Sequence, residues 1–75
     1  MNLTNLQQEI LQSLLKRAKK DPPHAQLEGV QADLLTSHGL YQQEGDEEGA
    51  AIYQPLAELA LQAQSIQELQ ESLRS

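Results

Sequence analysis

The residues able to do chemistry are few, and their spacing argues against most of it. His24 and His38 are the only imidazoles, and neither lies in a His-x-x-x-His or Glu-x-x-His spacing that would set metal ligands on one helix face. Ser37 precedes His38, but adjacent helix positions point about 100° apart, and no acid is placed to orient the imidazole as a base. Glu44, Asp46, Glu47 and Glu48 could attract a divalent cation, yet they lack the alternating Asp/Asn ligands and distal Glu of a calcium loop. With no Cys there is no thiolate metal site, disulfide or Cys nucleophile. These residues specify no reaction, cofactor or metal, so the chain is expected not to be an enzyme.

The elements that would position such residues are helical in pattern. Thr4 and Gln7 have the spacing of a capping box, and a helix follows to about Lys20. Along it Leu3, Leu6, Ile10 and Leu14 form one stripe, widened by Leu11, Leu15 and Ala18 into the broad face of a bundle helix. Asp21-Pro22-Pro23 ends it and restarts the chain, with Asp21 as the expected cap. A second helix is expected over about Pro23 to His38, with Leu27, Val30 and Leu34 on one face and Gly39 as its left-handed stop.

Two readings compete between Gly39 and Gln54. In one, Asp46 caps a helix running through Ala50, Ala51 and Ile52 and kinking at Pro55; in the other, Leu40–Gln43 and Ala50–Tyr53 pair as a short hairpin. The helix is preferred, because an isolated hairpin is marginal and Ala50-Ala51 favours helix. From Pro55 to Ser75, Leu56, Leu59, Ala63, Ile66 and Leu73 recur at three- and four-residue steps, with Gln70 filling one slot. That spacing predicts one long helix whose apolar stripe must bury itself, so these five residues are the expected partner-binding set.

Leu34, Tyr41, Gly45, Ala50 and Ala57 fall at offsets that resemble one tetratricopeptide repeat, a helix pair whose small residues let the helices approach closely. The match covers under half the chain and has no second copy, whereas at least three repeats normally make a stable domain. Separately, Leu34-Leu35 to Gly39-Leu40, the acidic loop and Ile52-Tyr53 resemble the end of a recognition helix and the wing of a winged-helix regulator. That second resemblance implies a short β-hairpin at about 40–53 and DNA as partner. Acidic chains of this length also resemble acyl carrier proteins, which attach phosphopantetheine to a serine within Asp-Ser-Leu; Asp33-Leu34-Leu35 stands here instead.

Charge and size bound the partners. Residues 1–20 carry Lys16, Arg17, Lys19 and Lys20 against Glu9, while the remainder carries ten acids and only Arg74, giving a net charge of −6. The excess of acids would repel a phosphate backbone, and the four cations sit where a helix C-terminus favours them. Seventy-five residues make one domain, 1–75, with a thin core that oligomerisation would help. The start lacks a signal-peptide pattern, nowhere do about 18 apolar residues stand together, and the Cys-free composition suits a reducing compartment.

The expected fold is therefore all-α: a small three-helix bundle, or a helical hairpin plus a long C-terminal helix. The alternative is α with a hairpin at about 40–53, winged-helix-like. The expected function is a small acidic protein–protein interaction module of adaptor, chaperone or inhibitor type, cytoplasmic, off the membrane and self-associating as a homodimer through the C-terminal helix. A winged-helix transcriptional regulator is the alternative, disfavoured by the acidic loop.

Overall fold

The computed structural model describes residues 3–74. Among them lie four helices and no strand: α1 (Asn5–Ala18), α2 (Pro23–Glu44), α3 (Glu47–Gln62) and α4 (Ile66–Ser72). The chain is a small all-α bundle.

The start of α1 is fixed by the capping box. The Thr4 hydroxyl accepts from the Gln7 backbone N–H at 3.1 Å, and the Gln7 side-chain oxygen accepts from the Thr4 N–H at 2.9 Å. The helix ends at Ala18 with Lys16 and Arg17 in its last turn. Pro22 then serves as N-cap of α2 without a side-chain cap bond, so Asp21 does not take the expected role. Pro23 at the first helical position has no N–H to be capped, and the Asp21 carbonyl accepts from the Gln26 amide instead, at 3.1 Å.

Helix α2 is longer than the sequence pattern indicates. Gly39 keeps helical geometry, and the stop comes at Gly45, whose φ of 75° is the one positive value among the described residues. There the Gly45 N–H donates to the Gln42 carbonyl and the Asp46 N–H to the Tyr41 carbonyl, the Schellman arrangement of a helix end. One residue later the Asp46 carboxylate accepts from the Gly49 N–H at 3.0 Å and opens α3. A two-residue reversal thus separates two helices where the alternative placed a hairpin. The hairpin at 40–53 is not supported, and the likeness to a winged helix loses its wing.

The tight turn presses α2 and α3 together in antiparallel fashion. Tyr41 and Tyr53 stack with ring centroids 5.4 Å apart and planes inclined by 22°. Gly49 lies buried against the Tyr41 ring; a Cβ there would collide with Cδ1 and stand 2.7 Å from Cγ and Cε1. Lower down, the Gln31 amide donates to the Ala60 carbonyl at 2.8 Å. The two helices thus approach closely along their length, with Ala57 in the core.

Helix α3 passes through Pro55, which has no N–H for the Ala51 carbonyl, and ends at Gln62. The single long C-terminal helix expected from Pro55 is in fact two, interrupted at residues 63–65. Ser65 caps α4 by accepting from the Glu68 N–H at 3.2 Å, while the Glu68 carboxylate accepts from the Gln64 N–H at 2.9 Å. The break redirects the chain so that α4 packs on α1 and Leu69 becomes fully buried.

The core joins Leu11, Leu15 and Ala18 of α1 to Val30 and Leu34, to Leu56, Ala57 and Ala60, and to Leu69. Each fully buried leucine contributes about 1.5–3 kcal/mol relative to exposure. Gln7 is buried at the edge of this core and satisfied there, its amide donating to the Ile52 carbonyl of α3 at 3.0 Å. On α1 the buried face is the one that widens the stripe; the stripe itself keeps much of its surface, Leu6 being 50% exposed.

Gly49 and Gly39 should respond oppositely to the same substitution. Gly49→Ala is expected to lower unfolding free energy by about 1–3 kcal/mol through overpacking against Tyr41. Gly39→Ala, whose new methyl meets nothing within 4 Å, should raise it by about 0.5–1 kcal/mol in urea titrations followed by circular dichroism.

Candidate interaction groove

Residues 19–22 link α1 to α2 so tightly that the two run antiparallel, and a crevice follows their seam. Numbering falls along α1 as it rises along α2: Lys20 shares a lining with Gly29, Arg17 and Leu14 with Ala32 and Asp33, and Ile10 with Ser37. The crevice consists of two adjoining depressions of about 520 and 440 Å³. The second has Ile10, Ser13, Leu14 and Arg17 on one wall, Ala32, Asp33, Thr36 and Ser37 on the other, and Tyr53 of α3 as well. A third depression of about 250 Å³, lined by Ser37, Leu40, Tyr41, Glu44 and Tyr53, lies between α2 and α3.

Leu6 on α1 and Leu40, which lines the third depression, are 50% and 53% exposed. Both charge signs line the first depression of the crevice, Arg17 and Lys20 beside Asp21 and Asp33.

The five residues of the expected partner stripe lie elsewhere. Leu56 is fully buried, and Leu59, Ala63, Ile66 and Leu73 pack against the core while keeping part of their surface. The break between α3 and α4 divides them, with Leu56 and Leu59 before it and Ile66 and Leu73 after. Of the stripe read on α1 in the sequence, Leu3, Ile10 and Leu14 pack against the core as partly buried side chains, and Leu6 is left exposed.

Ser37 and His38 do not converge: Ser37 lines the crevice, whereas His38 lines a depression beside Gly45, Asp46 and Ala50. The Nε2 atom of His38 is buried with no hydrogen-bond partner among the described residues. His24 is exposed in the first turn of α2. In the acidic turn, Asp46 is engaged in capping α3, while Glu44, Glu47 and Glu48 are exposed. Among the described residues no helix is long and apolar enough to cross a membrane.

No protein-family model, curated protein or solved structure matches the chain.

Two substitutions test these placements. Leu56→Asp should abolish the helical circular dichroism signal, because a charge would enter the core. His38→Leu should raise stability by about 1 kcal/mol in the same assay, since it removes a buried nitrogen that lacks a partner.

Proposed function

We propose that the protein is a small acidic helical protein–protein interaction module, of adaptor, chaperone or inhibitor type, whose contact surface is the α1–α2 crevice. The observation that carries this reading is a crevice walled in part by Ile10, Leu14 and Tyr53, with Leu40, a large aliphatic side chain 53% exposed, lining the depression next to it. Helix-in-groove recognition uses this kind of surface, with apolar anchors at helical spacing entering a cleft between helices. Of the five C-terminal residues Leu56 is buried, while Leu59, Ala63, Ile66 and Leu73 keep part of their surface. The Cys-free, acidic composition suits the cytoplasm as its setting.

The winged-helix reading loses its support with the hairpin. The acidic turn at Glu44, Glu47 and Glu48 also offers repulsion to a phosphate backbone.

A photo-crosslinking residue at Leu40, installed in the cells that naturally make the protein, tests the surface. Discrete adducts are expected from Leu40 and none from a probe at Glu58, which is exposed on α3. Adding Leu6→Asp to the Leu40 probe should remove them. Equal adducts from both positions, or none from either, would defeat the reading.

A further inference from the structure

We infer that α4 is a strap: hinged at residues 63–65, it comes off α1 while α1, α2 and α3 stay folded, and its departure uncovers apolar core surface. The crevice is lined by α1, α2, their linker and Tyr53, so this device is separate from it.

The four helices are held very differently. Helices α2 and α3 are joined by a two-residue reversal and tied by Gln31 to the Ala60 carbonyl. Helix α1 is tied to α3 by Gln7 and gives Leu11, Leu15 and Ala18 to the core. Helix α4 contributes one fully buried side chain, Leu69, with Ile66 and Leu73 partly buried beside it. It has seven residues, about two turns. Isolated helices shorter than about 12–15 residues are marginal in water, so α4 is helical chiefly because it is docked.

Its capping bonds do not do the docking. Ser65 accepts from the Glu68 N–H, Glu68 from the Gln64 N–H, and the Ser72 hydroxyl donates to the Glu68 carbonyl at 3.0 Å. These three bonds join residues inside the segment, so they shape the strap without fastening it to α1. At the hinge, Ala63 (φ −70°, ψ 138°) and Ser65 (φ −154°, ψ 160°) are extended, a region open to any residue and free of the helical ladder. Rotation there moves α4 as a unit. It withdraws Leu69 from the core shared with Leu11 and Leu15, and exposes apolar surface on both sides of the contact. Segments with little buried surface open independently of the body they rest on.

Amide hydrogen exchange on the full chain, followed by NMR at increasing urea below the unfolding transition, is the test. The Leu69 and Gln70 amides are expected to be at least about a hundredfold less protected than those of Val30 and Leu34. Their exchange should also rise less steeply with urea, because a partial opening exposes less surface than unfolding does. Leu69→Asp should hold the strap open: Gln70 then exchanges almost without protection. Protection at Leu34 should fall by no more than the factor that Gln70 had in the unmodified chain, since that factor measures the whole preference for the closed form. The variant should also bind anilinonaphthalene sulfonate more strongly than the unmodified chain, reporting the uncovered apolar surface.

Equal protection and equal urea dependence at Gln70 and Leu34 would show that α4 opens only when the whole molecule unfolds, and would overturn the strap. So would a loss at Leu34 in Leu69→Asp larger than that factor, because α4 would then be needed for the body to fold. Unchanged dye binding would overturn the uncovered surface.

Discussion

The close approach of α2 and α3 at Gly49 is the constraint on which the rest of the molecule depends. Because the Tyr41 ring occupies the space of a β-carbon there, the two helices come near enough for Tyr41 to stack on Tyr53 and for Gln31 to reach the Ala60 carbonyl. The approach is itself set by the turn. Gly45 reverses the chain in the left-handed region, and Asp46 caps the next helix at once, so no slack separates the pair. The hairpin of helices then presents Val30, Leu34, Leu56 and Ala60 as one surface, and α1 and α4 cover it.

Covering is incomplete by construction. Helix α1 buries Leu11, Leu15 and Ala18 in the core, packs Ile10 and Leu14 against it where they also line the seam with α2, and leaves Leu6 exposed. A chain of 75 residues has few ways to hide every apolar side chain, since its surface is large relative to its volume. The crevice forms where the partly buried edge of the apolar face of α1 meets α2.

How much of this was legible in the sequence follows the range of the interactions involved. The Thr4–Gln7 box and the Asp46 cap act within four residues, and both were readable. The choice between Gly39 and Gly45 as the end of α2 was not, because either glycine can stop a helix and only the packing of Tyr41 against α3 decides. Likewise the even spacing of Leu56, Leu59, Ala63, Ile66 and Leu73 continues across a real break. Ser65 and Glu68 have the spacing of a cap and could have revealed it, but the regular period concealed the signal. Which stripe of α1 is buried was hidden too, since Gln7 and its neighbours are placed by Ile52, 45 residues away.

Two glutamine side chains tie helices across the bundle, Gln7 to Ile52 and Gln31 to Ala60. An amide neither titrates nor attracts counterions, so these ties are the same in dilute buffer, in concentrated salt and across the physiological range of acidity. The scaffold is in this sense deaf to its ionic surroundings, while the charges on its surface are not. A cell that changes its ionic strength would thereby alter what the molecule touches and leave untouched what the molecule is.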